Sequence, residues 1–299
     1  MKYIHLLIIL LFIPCAAMAN AWDTQYKQIE KNIRQPEFKD KSYNITDFGA
    51  STKAKAADNQ KAINKAIATC SKNGGGRVVI PEGTFITGAI TMLSKVNLHI
   101  EKNGVLLFAF QPELYPIVPT RWEGIDCWNL QPCVYAYKQT DIAITGQGTI
   151  DGGGENDTWW KWCGKDHYGW KEGIISQKSG SRARLLKMAE DGVDMNERKF
   201  GPQDGLRPQL INFNQCDGIL IEDVTLLRSP FWVIHPLLSK NITVRGVHIN
   251  NDGPNGDGCD PESCDGVRIE NCLFNTGDDR IAIKSGRNND GRLWGRPSE

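Results

Sequence analysis

The chain has 299 residues, with 35 Lys and Arg against 35 Asp and Glu, so its formal charge is zero. That balance gives no reason to expect a nucleic acid or an anionic membrane as partner. At roughly 150 residues per domain the length suggests two domains, but repeat folds escape that rule.

The first residues read as a signal peptide over residues 1–19: Lys2 supplies the positive end, Leu6 to Ile13 is an apolar run, and Ala17-Met18-Ala19 is a small-x-small cleavage site. The run is too short for a bilayer, which needs about 20 residues, and Pro14 makes Cys15 a poor lipid-anchor cysteine. A secreted or periplasmic chain starting near Asn20 is expected. Of nine cysteines, all but Cys15 lie beyond the cleavage site, in a compartment that permits disulfides. Cys127 with Cys133, and Cys259 with Cys264, are close pairs that suit either disulfides or stacked buried thiols. No cysteine grouping has zinc-like spacing, so no metal is expected.

Between Asn59 and Cys70, the residues Ala62, Ile63, Ala66, Ile67 and Cys70 fall at helical spacing, and Gly74 to Gly76 ends the run. This predicts a short amphipathic helix capping the first coil of a repeat. Val96 to Ile100 and Asp141 to Ile150 carry faint copies of that repeat. Gly152 to Arg207 is polar, holds Trp159, Trp160, Trp162 and Trp170, and reads as an insertion. Its tryptophans either wall a sugar-binding groove or are packed within the loop.

The repeat is clearest in Asp217 to Leu226, Lys240 to Ile249 and Asp265 to Phe274, which share one alternation of apolar and polar residues. Equivalent positions Ile219, Ile242 and Val267 are 23 and 25 residues apart. Each segment reads as two short strands with a bend at Asp223, Gly246 or Asn271. A period of this size without helices argues for stacked coils, and the Leu and Asn signature of leucine-rich repeats is missing. The expected fold is all-β: a single-domain right-handed parallel β-helix over residues 20–299, with a short N-terminal capping helix and an incomplete C-terminal end.

Asn255-Gly256-Asp257-Gly258-Cys259-Asp260 precedes Gly277-Asp278-Asp279 by about one coil. Residues one coil apart stack at roughly 4.8 Å, so Asp257, Asp278 and Asp279 should converge. Close carboxylates couple their titrations, so at least one pKa should be raised. Cleaving a glycosidic bond takes one protonated carboxyl and one ionised carboxylate. Each aspartate alone could equally be a turn former.

At these residues the sequence resembles glycoside hydrolase family 28, the polygalacturonases, and especially bacterial exo-acting members. Asp47-Phe48-Gly49-Ala50, Gly74-Gly75-Gly76 with Val79-Ile80-Pro81, Phe85-Ile86-Thr87-Gly88, Gly148-Thr149-Ile150-Asp151-Gly152 and Ser229-Pro230-Phe231-Trp232 with His235-Pro236 carry the likeness along nearly the whole chain. The resemblance implies an inverting hydrolysis of α-1,4-galacturonan in which Asp278 is the general acid, while Asp257 and Asp279 hold and deprotonate water. It implies no cofactor, a pectic polysaccharide or oligogalacturonide as partner, and a monomer.

The chain departs from the family in three ways. Gly256 stands where the family has Thr. Arg280 stands where it has Cys, and either pairs with a catalytic carboxylate or points to solvent. The family's later Gly-His-Gly and Arg-x-Lys motifs match no residue before Glu299, so the chain is expected to be C-terminally truncated, with little or no activity. Anionic sugars need cations nearby, and Lys284 and Arg287 are candidates, with Asn255, Arg280 and His235 as further substrate-binding candidates. The insertion and Arg121-Trp122-Glu123-Gly124 favour exo attack. The alternatives are a rhamnogalacturonan hydrolase, a calcium-dependent pectate lyase and a non-catalytic carbohydrate-binding β-helix.

Overall fold

The computed structural model describes residues 24–298. The expected signal peptide, residues 1–19, lies outside the described residues. Residues up to Arg34 form a unit of their own, whose described part contains a helix, α1, over residues 24–32.

From Gln35 onward the chain folds as a parallel β-helix. Three sheets run along it. The first has seven strands, Ser42–Asn44, Gly76–Ile80, Val96–Ile100, Thr140–Gly146, Asp217–Glu222, Lys240–Arg245 and Asp265–Glu270. The second has six, from Gly83–Thr87 to Leu273–Thr276, and the third has four, Ile90–Thr91, Val134–Tyr137, Ile211–Asn214 and Ile234–Leu237. All their pairings are parallel.

The register matches the repeat read from the sequence. Ile219 pairs with Ile242, and Ile242 with Val267. The faint copies join the same column, because Ile142 pairs with both Val96 and Ile219. Val96, Ile142, Ile219 and Ile242 have no exposed surface, and burying each such side chain contributes about 1.5–3 kcal/mol. The expected bends are left-handed: φ is 61° at Asp223, 63° at Gly246 and 52° at Asn271. Asp, Gly and Asn are the residues that adopt this conformation at least cost, so the turn chemistry and the apolar beat agree.

Helix α2, Ala56–Lys72, is longer at both ends than the predicted segment and buries the five predicted apolar residues. It packs on strands of the first coils. Asn59, fully buried on its apolar face, donates to the carbonyls of Ser51 and Ile86 and accepts from the Ser51 amide, tying the helix to the coil it covers. Two of the three glycines that end the helix are needed for closeness: a Cβ on Gly75 would lie 2.5 Å from the Lys95 carbonyl oxygen and one on Gly76 2.4 Å from that of Lys41.

The insertion is more ordered than its polar composition suggests. It contains helix α3, Ser181–Glu190, and folds against an antiparallel hairpin, Ile117–Trp122 with Ile125–Leu130. Together with the solenoid wall these build a second core from Trp122, Ile125, Cys127, Leu185, Phe200, Leu206, Phe231 and Trp232. Trp159 and Trp162 are buried in the main core, edge-on to Phe110. Trp160 donates to the Ser229 carbonyl at 2.9 Å and Trp170 to that of Ile174. These contacts favour the packed reading of the tryptophans over the groove wall.

All eight described cysteines are free thiols. Cys127 belongs to the second core and Cys133 to the first. The close pairs are therefore buried thiols, and burial pushes Cys133 and Cys259 well up. A last helix, α4, Asn288–Trp294, was not foreseen. At that end Leu273, Ile281 and Ile283 are 62%, 47% and 74% exposed.

Candidate active site

The site grows out of the third sheet. Two single bridges continue each of its last pairings: Ile234 with Cys259 and Leu237 with Glu262, then Cys259 with Ile281 and Glu262 with Lys284. The Gly258 amide donates to the Asp279 carbonyl and the Cys259 amide to that of Arg280. This register sets Asp257 beside the Asp278-Asp279 pair on the next coil. One carboxylate oxygen from each of Asp257, Asp278 and Asp279 lies within 4.8 Å of the other two, with Asp257 buried and the pair exposed. The convergence predicted from coil spacing is present.

Asp257 is pushed upward by burial, and Lys284 opposes that shift while Asp278 adds to it. Lys284 donates from Nζ to Asp257 Oδ2 at 3.2 Å and stands 3.6 Å from Asp260 Oδ2. Its ammonium lies over the Trp232 ring, 4.4 Å from the centroid. Lys284 thus serves protein carboxylates, although it still borders a cavity of about 580 Å³ with Asp257, Asp278, Arg287 and Asn255.

Asn255 is oriented from beneath. Arg207, without exposed surface, donates to Asn255 Oδ1 at 2.7 Å, to Gln177 and to the Pro230 and Pro254 carbonyls. Arg287 pairs with Glu123 at 3.1 Å, and Arg182 of α3 pairs with the same oxygen at 2.8 Å. The hairpin turn, α3 and the C-terminal segment thereby meet at the cavity rim. Gly124 makes room for this: its φ is 83°, and a Cβ there would lie 2.7 Å from Arg287 Cβ.

One expectation needs correction, and one open alternative is decided. His235 touches no groove, because it has no exposed surface. Its Nε2 donates to Glu262 Oε2 at 2.8 Å and its Nδ1 accepts from Asn212 at 3.0 Å, so a neutral imidazole satisfies both partners. Burial pushes its pKa down, more than Glu262 lifts it. Arg280 is exposed and forms no ion pair among the described residues, so of its two readings the solvent one holds.

The sequence reading also overlooked Asp260, Glu262, Arg207, Glu123 and Arg182. Asp260 and Glu262 flank Pro261 at alternate positions beside Asp257, a signal in principle. Their partners Arg121, Lys284 and His235 are distant in sequence, which hid it. Gly256 has a local reason: a Cβ there would meet Asn251 Nδ2 at 2.4 Å and the Gly253 carbonyl at 2.7 Å. A threonine does not fit this backbone.

A family model described as glycosyl hydrolases family 28 matches residues 196–290, which include all three aspartates. An exopolygalacturonase structure from Thermotoga maritima superposes with a TM-score of 0.87 at 44% identity, over 91% of this chain and 62% of that one. A probable polygalacturonase of Vitis vinifera is 30% identical over 269 residues, 86% of this chain and 47% of its own length. The exo-poly-alpha-D-galacturonosidase of Dickeya chrysanthemi is 28% identical over 84% of this chain and 43% of its own. The chain spans about half the length of these curated relatives.

Proposed function

Because the chain belongs to family 28 of the glycosyl hydrolases, we propose that it hydrolyses α-1,4-galacturonosyl bonds of pectin or polygalacturonate by acid–base catalysis, attacking from a chain end. The observation that carries this reading is the trio of carboxylate oxygens within 4.8 Å of one another, two of which, those of Asp257 and Asp278, belong to residues that line a cavity. A water held at about 2.8 Å from each of two oxygens spans up to about 5.6 Å between them, so two of these acids can share one water. Asp257, kept next to an ammonium, and Asp279 suit that task. Asp278, exposed and bordering the cavity, suits protonation of the leaving oxygen.

Inverting enzymes ordinarily separate their two carboxyls by roughly 6.5–9.5 Å to admit water. Here a third acid takes over part of that work, and inversion predicts a β-configured first product. Exo attack is supported by the hairpin turn at Glu123 and Gly124, which lines one side of the cavity, and by the names of the similar proteins from Thermotoga maritima and Dickeya chrysanthemi. We further propose export through residues 1–19, to be checked by N-terminal sequencing of the mature protein.

The deciding assay incubates polygalacturonate with the chain at high concentration, beside Asp278→Asn. Reducing ends, released as monomer and as the β anomer by NMR, should rise in the wild type and fall at least a hundredfold in the variant. Release no greater than that of a protein-free blank would leave a carbohydrate-binding β-helix as the better reading. Ultraviolet absorbance from unsaturated uronate, lost on chelation, would instead indicate a lyase.

A further inference from the structure

Lys284 sits between two acids of its own chain. Its Nζ is 3.2 Å from Asp257 Oδ2 and 3.6 Å from Asp260 Oδ2, with the Trp232 face 4.4 Å away fixing the ammonium in place. Asp260 has no exposed surface, and neither of its oxygens has a hydrogen-bond partner.

The surrounding charges leave little freedom. Asp257 faces Lys284 and Asp278; Asp260 faces Asp257, Lys284 and Glu262; Lys284 faces Asp257, Asp260 and Glu262. Glu262 is already paired with Arg121 at 3.2 Å and hydrogen-bonded by His235. One ammonium therefore remains for two carboxyls, and an unmatched buried carboxylate is strongly disfavoured. Asp257 is the nearer, accepts the hydrogen bond and borders the cavity, while Asp260 is sealed behind it.

We propose that Lys284 is a positioning residue that keeps Asp257 ionised and aimed into the cavity, and that Asp260 stores a proton behind it as an uncharged acid. This rests on the reading of Asp257 as a water-holding carboxylate. Burial, reinforced by the charge of Asp257, pushes Asp260 up to about 9, in keeping with the assignment.

Carbon-13 NMR of labelled aspartate carboxyls tests this without substrate, the signals being assigned with Asp257→Asn and Asp260→Asn. In the wild type Asp260 should keep the shift of a protonated carboxyl through about pH 7 while Asp257 ionises below it. Lys284→Met should raise the Asp257 midpoint by about one unit, a tenfold change in proton affinity, and Lys284→Arg should restore most of it. A lysine that merely packs would leave that midpoint in place, and this result overturns the proposal. So does ionisation of Asp260 below about pH 5 in the wild type, a measurement that stands even if Lys284→Met fails to fold. Neither outcome bears on the hydrolase reading, which is decided by the Asp278→Asn comparison.

Discussion

Replacing Glu262 with Gln should cost about 3 kcal/mol of folding stability, because the carboxylate closes a triad from which water is excluded. Its Oε1 is 3.2 Å from Arg121 Nη1 and its Oε2 is 2.8 Å from His235 Nε2, and none of the three side chains has exposed surface. Removing one partner of such a pair strands the other charge, at about 3–5 kcal/mol. The low end applies here, since Arg121 retains Asp126 at 2.7 Å. Burial pushes the Glu262 carboxyl up, but His235 and Arg121 outweigh it and hold it below its ordinary 4.5. With the folded value depressed, its stabilisation is complete above about pH 4.5 and is lost as pH falls through the folded value. Urea unfolding followed by tryptophan fluorescence measures both effects. The Gln variant should be weaker near neutrality and lack the wild type's steepening on the acid side. In an Arg121→Met background the same substitution should cost about 2 kcal/mol less, because no guanidinium is stranded. A loss below about 1 kcal/mol near neutrality would refute the triad's energetic role.

Asp260→Asn should stabilise the chain increasingly with pH: the folded value is raised to about 9 from 3.8, so the wild-type penalty begins above the unfolded value and grows as pH rises. Between about pH 5 and about pH 7 the variant should gain on the order of 3 kcal/mol on the wild type in denaturant unfolding. Gly256→Thr, which would restore the family's residue, should lower stability and disturb the aspartates, seen as a lowered thermal midpoint and shifted Asp257 resonances, because Asn251 and the Gly253 carbonyl occupy the space. Trp159→Ala should cost about 3–5 kcal/mol, while an exposed aromatic such as Trp294 should cost far less on the same denaturant curve.

The solenoid was legible because two independent local signals coincide in each coil. The apolar beat at Ile219, Ile242 and Val267 fixes which side chains point inward, and Asp223, Gly246 and Asn271 permit the left-handed turns that let the next coil stack. The aspartate cluster followed from that periodicity alone. The hairpin, α3 and their second core were not legible, since Trp122, Leu185 and Phe231 come from three segments that share no repeat. Periodicity reports on the repeating wall and says nothing of elements packed outside it. The long-range partners failed for the same reason: nothing near Lys284 in sequence indicates that its ammonium meets Asp257 and Asp260 rather than a sugar.

This division has a mechanical consequence. The coil register brings the three aspartates together and sets Lys284 between Asp257 and Asp260, but the groups that anchor their surroundings come from non-repeating parts. Arg121 enters from the hairpin and grips Glu262, and Glu123, two residues beyond Arg121, gathers Arg182 and Arg287 at the cavity rim. Arg207, at the end of the insertion, holds Asn255 and lies 5.0 Å over the Phe231 ring that Trp122 stacks on. A perturbation of the hairpin should therefore reach the acids through two buried guanidiniums, even though no hairpin residue belongs to the aspartate trio. The solenoid sets where the carboxylates and Lys284 are, and the hairpin and insertion anchor the groups behind them and line the open side.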